Sequence, residues 1–286
     1  MRYERPQTLE DATALMAGAE AKAFVLAGGT DLLVRMQNDD FEADLVVDIK
    51  AIEGMDQISE TDAGFVIGAA VPAAALSENA RLVAAWPGVV EAANLIGSTQ
   101  IQGRCTIVGN LCNASPAADS VPALVAAGAV AQVTGPSGTR EVPIENIPTA
   151  PGRTSLSKGE IIEAVVLPKR SPSSADAYLR FIPRTEMDIA VVGAGVNLTL
   201  DAGGTITAAR VALGAVAPTV LLVEAAAEVL IGTKADDAAL DALAAACSAA
   251  ANPIDDKRGT VAFRKQVAGV LARRATQQAY TRAGEA

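Results

Sequence analysis

Between Thr106 and Pro122 the chain reads Thr-Ile-Val-Gly-Asn-Leu-Cys-Asn-Ala-Ser-Pro-Ala-Ala-Asp-Ser-Val-Pro, small residues and short polar side chains around one acidic group. A connection this long in a compact protein either has its own purpose or is disordered, and so little charge argues against disorder. Gly109 is expected to open main-chain conformations that other residues avoid. Asn110, Asn113, Ser115 and Ser120 set polar groups beside main-chain N–H groups that can converge on an anion, while Pro116 and Pro122 stiffen the run. Asp119, the one charge, suits the hydroxyls of a ribose or ribityl chain better than a phosphate. It is equally suited to capping a following helix.

Upstream, Phe24-Val-Leu-Ala-Gly-Gly-Thr-Asp-Leu-Leu33 reads as an apolar strand, a Gly28-Gly29 turn, then Thr30 and Asp31. Alone, the glycine pair is an ordinary turn. Beside the second run, it makes a pair of loops able to grip one diphosphate. Gly193-Ala-Gly195 is no dinucleotide fingerprint, because position 198 is Leu and the segment is strand-like. No lysine of the Walker type follows either loop, so phosphoryl transfer is unsupported.

Half of the 286 residues are apolar, enough for two cores. A formal charge of −10 excludes nucleic acid and anionic membrane as partners. No membrane span and no signal-like apolar segment is evident, so a cytoplasmic location is expected. With no histidine, imidazole-dependent triads, His-ligated zinc and flavin tethered through histidine are ruled out. Cys105, Cys112 and Cys247 match no cluster spacing, so the chain is expected to carry no metal. Cys105 and Cys112 are expected to be small buried fillers.

Thr8 and Asp11 mark a helix start, with apolar residues at helical spacing up to Gly18. A strand over Ala23–Leu26, a short helix over Asp31–Asn38 and a strand over Asp44–Ile49 follow. Next come a strand at Phe65–Ile67 and helices near Ala73–Asn79, Val83–Ile96 and Ala123–Ala127. A strand at Ala129–Thr134 turns at Gly135–Gly138 into Thr139–Val142 as a hairpin, before a strand at Ile161–Leu167. The polar Lys169–Ser174 run is the expected domain boundary. Beyond it, strands are expected at Ile189–Leu200 and Thr205–Val216, with helices at Thr219–Ile231, Ala235–Ala251 and Arg258–Ala283. Arg264, Lys265, Arg273 and Arg274 on the last helix read as a solvated face, which could also meet an acidic partner.

Together, Ala27-Gly-Gly-Thr-Asp-Leu32 and the Thr106–Pro122 run resemble the flavin-binding subunit of the molybdenum hydroxylases, the family of carbon monoxide dehydrogenase medium chains and the flavin segment of xanthine dehydrogenase. The resemblance extends from Tyr3-Glu-Arg-Pro6 through Arg184-Thr-Glu-Met-Asp-Ile-Ala190 to the terminal helix. It implies an α+β fold: a two-subdomain FAD-binding domain of the vanillyl-alcohol-oxidase/MurB (PCMH) type at 1–170, with subdomains of about 1–57 and 58–170. A CO dehydrogenase flavoprotein C-terminal-like domain at 175–286 would follow, built on a three-stranded antiparallel sheet with helices.

Carried over by position, the resemblance implies that Val25, Leu26, Ala27, Gly28, Gly29, Thr30, Asp31 and Leu32 line the pyrophosphate and isoalloxazine of non-covalent FAD. Thr106, Ile107, Val108, Gly109 and Asn110 would close over the diphosphate, with Asn113 nearby and Asp119 on the sugar portion. Ile96 stands where a family aromatic often packs, and Ile162 and Val191 would be edge contacts. Some relatives have lysine at the position of Val191, so a charged contact is lost here.

The implied role is electron transfer, from 2Fe-2S clusters in a small subunit through FAD to an external acceptor, in a complex with a molybdopterin-binding large subunit and assembled as a dimer of heterotrimers. No side chain is needed as a catalytic base. A self-contained FAD oxidoreductase of the same fold and a flavin-free assembly module are the alternatives.

Overall fold

A computed structural model describes all 286 residues. The chain opens with a three-stranded parallel sheet in the order Arg2–Glu4, Leu45–Asp48, Ala23–Leu26. The Thr8 hydroxyl accepts from the Asp11 N–H and starts the crossover helix Leu9–Gly18, as the sequence predicts. Leu45, Val46 and Val47 are all buried, as befits the central strand of a parallel sheet covered on both faces. The short helix Leu32–Gln37 follows the first glycine loop.

A five-stranded antiparallel sheet comes next, in the order Ile58–Thr61, Gly64–Gly68, Ile161–Pro168, Val130–Gly135, Gly138–Pro143. Between its second and fourth strands the chain runs through a helical insert that carries the second motif. The insert comprises Ala73–Glu78, Ala80–Ala85, Pro87–Ala93, Thr99–Gln102, Ile107–Cys112 and Ser120–Ala127. The helix expected near Val83–Ile96 is broken at Trp86, because Pro87 cannot donate within a helix and instead opens the next one at its first position.

The last part is an antiparallel sheet of three long strands, Ser174–Phe181, Val192–Leu200 and Ile206–Gly214, with a two-residue fourth at Leu221–Leu222. Helices Glu224–Glu228, Asp237–Ala250 and Val261–Glu285 complete it. Ser174–Phe181 begins where the sequence suggested only a polar linker. The expected helix at Thr219–Ile231 is replaced by the short strand and a five-residue helix. The basic terminal helix is less solvated than expected. Arg264 is buried, donating to the carbonyls of Val191 and Ala215 and pairing with Asp256, while Arg273 bridges Asp237 and Asp241 on the neighbouring helix. No helix is long and apolar enough to cross a membrane.

Two large apolar cores form, of 43 and 25 buried residues. The first takes in Tyr178 and Ala212 from the last sheet and Val220 just before its short fourth strand, so the parts on either side of the polar run share packing. The seam is built on glycine. A Cβ on Gly195 would lie 2.6 Å from the Pro122 carbonyl oxygen, and one on Gly214 would lie 2.6 Å from Pro122 Cγ. The bare strand positions Gly195 and Gly214 let the helix Ser120–Ala127 settle onto the sheet, while Gly193 makes room for the Tyr178 ring.

Candidate cofactor site

Strand Ala23–Leu26 delivers the chain into a tight turn at Gly29, whose φ of +77° favours glycine. Gly28 is needed for a different reason. A Cβ there would sit 2.0 Å from the carbonyl oxygen of Arg104, two residues ahead of Thr106. The first loop therefore meets, main chain to main chain, the residues that lead into the second motif. The loop is braced by Lys50, which donates from Nζ to the Ala27 carbonyl at 3.0 Å and pairs with Asp48 at 2.7 Å. Tyr3 donates its hydroxyl to the other Asp48 oxygen at 2.5 Å. Burial raises the Asp48 pKa, but the bonds from Lys50 and Tyr3 outweigh it and hold the carboxyl below its ordinary value.

A cleft of about 310 Å³ opens beside this contact, lined by Gly28, Lys50, Asp56, Ala70, Pro72, Gly103 and Arg104. Asp31 is exposed, and Val25, Ala27, Gly28, Gly29, Thr30 and Leu32 are half-buried. Leu26 is buried. A larger groove, near 800 Å³, lies between the first strand and the first helix and is lined by none of the predicted site residues.

Thr106 caps helix Ile107–Cys112, its hydroxyl accepting from the Gly109 N–H at 2.9 Å. Gly109 itself has ordinary helical backbone rather than the unusual conformation expected of it, and a Cβ there would come within 3.0 Å of the Thr106 hydroxyl. The left-handed residue of this run is Ala114, at φ +47°. Asn110 turns inward, its side-chain oxygen accepting from the Ser120 N–H and hydroxyl at 3.2 and 2.7 Å. Asn113 stays half-buried. Cys105 is the expected buried filler, its thiol pushed up to about 11 by burial, whereas Cys112 is exposed.

Asp119 makes no capping bond, because its own backbone is already helical. Its carboxylate instead accepts from Arg180 Nη1 at 2.7 Å and from the Tyr178 hydroxyl at 3.4 Å. Burial pushes this carboxyl up to about 6 against the pull of Arg180. Ile96 is half-buried, next to Leu95, whose carbonyl accepts from Arg180 at 3.0 Å.

Three expected contacts have no free surface. Ile107 and Val191 are wholly inside the protein, in the first and second cores, and Ile162 is 2% exposed in the first. In this conformation their side chains are packed inside the two cores. Val108 is 5% exposed, close to the same position.

The sequence reading missed Tyr3, Asp48, Lys50, Tyr178 and Arg180. Asp48 and Lys50 had a signal. They sit at the carboxyl end of the strand adjoining Ala23–Leu26, and ligands of parallel sheets gather at such ends. Tyr178 and Arg180 had none, since their strand was itself unread.

A family profile described as FAD binding domain in molybdopterin dehydrogenase matches residues 1–170, and one described as CO dehydrogenase flavoprotein C-terminal domain matches residues 177–279. The chain belongs to this flavoprotein family. It is 34% identical to the carbon monoxide dehydrogenase medium chain of Afipia carboxidovorans over 98% of this chain and 97% of that one. To the putative xanthine dehydrogenase FAD-binding subunit of Escherichia coli K12 it is 29% identical, over 99% and 97%. The solved CO dehydrogenase from Oligotropha carboxidovorans superposes with a TM-score of 0.94 at 34% identity, covering 99% of this chain and 98% of that one.

FAD is the cofactor of this family, and the residues present fit it. Gly28 lets the Arg104 main chain close against the first loop at the edge of the cleft, so both loops can present main chain to a ligand there. In the adjoining cleft Lys50 is already paired with Asp48, and the exposed Arg104 offers a cation to a diphosphate.

Proposed function

We propose that this flavoprotein holds FAD non-covalently between the Gly28-Gly29 loop and the Thr106–Asn110 segment, and relays electrons from 2Fe-2S clusters of a small partner subunit to an external acceptor. In this reading a molybdopterin-binding large subunit performs the substrate chemistry, and the complex is a dimer of heterotrimers in the cytoplasm. The observation that carries it is the close approach of the Gly28 loop to Arg104, just ahead of the second motif, beside a polar cleft.

Bound FAD supplies the exchange between two-electron and one-electron steps. The chain's own residues bind and orient. The main chain from Val25 to Leu32 lines the diphosphate and ring, Lys50 and Tyr3 fix the loop through Asp48 and Ala27, and Asp119 offers an acceptor to the sugar hydroxyls. Ile107, Ile162 and Val191 act only as buried core residues. No side chain is asked to move a proton. The parts 1–170 and 175–286 act as a cofactor domain and a buttressing domain.

Purified protein should show flavin absorbance, release FAD on acid or heat treatment, and leave a denatured chain of unmodified mass. The complex isolated from its native cell should contain molybdenum and about four irons per flavin if two 2Fe-2S clusters accompany it. Robust turnover of an organic substrate by the lone chain, with neither metal co-purifying, would favour a self-contained oxidoreductase instead.

A further inference from the structure

The buried guanidinium of Arg180 touches both ends of the segment that carries the second motif. Its Nη1 donates to the Leu95 carbonyl at 3.0 Å and to Asp119 Oδ2 at 2.7 Å, and its side chain is only 7% exposed. Leu95 follows the helix Pro87–Ala93, and Asp119 precedes the helix Ser120–Ala127. Between them lie Ile96, Thr106–Asn110 and Asn113. Tyr178, two residues earlier on the same strand and so on the same face, donates to the other Asp119 oxygen at 3.4 Å. Gly193 on the neighbouring strand leaves room for that hydroxyl, since a Cβ there would meet it at 2.6 Å.

Both flanking helices also rest on this sheet. A Cβ on Gly88 would lie 2.8 Å from the main chain of Ala177, and Gly195 admits Pro122. The helices are thus fixed by packing, whereas the segment between their ends is long and made of short helices. Internal ties such as Asn110 to Ser120 and main-chain bonds to Ala73, Gly152 and Ala215 hold its middle, and Arg180 is the side chain that bonds both of its ends.

We propose that Arg180 is a positioning residue of the flavin site: a clasp from the last sheet that closes the 95–119 segment and holds the second motif against the Gly28 loop. This rests on the reading that FAD lies between those loops. Through the clasp the C-terminal part, which contributes no sequence motif to the cofactor, governs how tightly the cofactor is held. A contact with Asp119 alone would make Arg180 only a neutralising partner for a buried carboxylate. The second bond, to a carbonyl, is what makes it a clasp.

Removing Arg180 alone strands the Asp119 charge, which destabilises any buried pair. The test therefore compares D119N with the double variant R180M/D119N, in which neither position is charged, and adds R180K as the conservative replacement. FAD affinity is read from flavin fluorescence, and amide hydrogen exchange is followed across 95–119. If Arg180 is a clasp, the double variant binds FAD at least about tenfold more weakly than D119N, residues 95–119 exchange faster in it, and R180K recovers part of both. Equal FAD affinity and equal exchange in D119N and the double variant would overturn the clasp. If the wild-type chain binds no FAD, the reading of the site fails, and faster exchange in the double variant still decides whether Arg180 closes the segment.

Discussion

Main chain meets main chain across a bare glycine at several places in this protein, and two of them, Gly195 at the seam and Gly28 at the loops, differ in whether a cleft opens beside the contact. At the seam, Gly195 lets Pro122 approach the last sheet, with buried neighbours on every side, and nothing there can reach a ligand. At the loops, Gly28 lets Arg104 approach in the same way, but Lys50, Arg104 and Asp56 around it keep polar surface open to a cleft. In sequence the two look alike, a Gly-Gly and a Gly-Ala-Gly in apolar surroundings. A close approach at glycine is therefore a packing device in both. The accessible charge left beside it separates a binding site from a joint.

The sharpest way to break this contrast is to add bulk at each glycine. Gly195→Val should be the more damaging, because a side chain would press on a carbonyl inside a sealed seam where neither helix nor sheet can give. A loss of about 3 kcal/mol or more in a denaturant titration is expected. A variant with the wild-type midpoint would mean the seam is looser than its geometry.

Gly28→Ala should act differently. The loops can part without opening either core, so the unfolding midpoint should move little while FAD affinity falls by roughly 100-fold, about 2.7 kcal/mol. If Gly28→Ala unfolds the protein as Gly195→Val does, or binds FAD as the wild type does, the distinction between site and joint is lost.

What the sequence reveals follows the same division. The Thr8–Asp11 cap, the strand Ala23–Leu26 and the hairpin around Gly135–Gly138 are local devices, and local pattern locates them. Two cores follow from length and apolar content. Ser174–Phe181 is missed because its first residue lies in a polar run and its first half, Ser-Ala-Asp-Ala, carries no β-branched or aromatic residue to signal a strand. Asp119 looked free for a cap or a sugar because its partner lies 61 positions away on that unread strand. Gly109 misled in the opposite direction. Its place after Thr106 is that of a third helical residue, and the residue with unusual backbone is Ala114, which nothing in the sequence marks.

The smallest expected effect separates the two regions by charge. Each holds one buried carboxyl pushed up to about 6 by burial: Asp119 beside the second motif, facing Arg180 and Tyr178, and Asp176 at the seam. Asp176 faces Arg170, Glu91, the Val89 N–H and Arg282, which bonds its carbonyl. Because the folded values lie above the ordinary 3.8, the native protein binds protons that the unfolded chain has lost. Their contribution to stability is complete below about pH 4 and is lost as pH rises through about 6, with a slope of at most about 1.4 kcal/mol per pH unit for each group. Asp119→Asn should remove one share of that slope and leave the other. Sugar hydroxyls donating to Asp119 would favour its ionised form, so saturating FAD should flatten the Asp119 share while the Asp176 share persists. Urea midpoints across this range, with and without FAD, compare the two. If Asp119→Asn leaves the slope unchanged, Asp119 is not titrating as its burial requires. If FAD leaves the wild-type slope untouched, the carboxylate does not meet the cofactor, and its bond to Arg180 is its whole role.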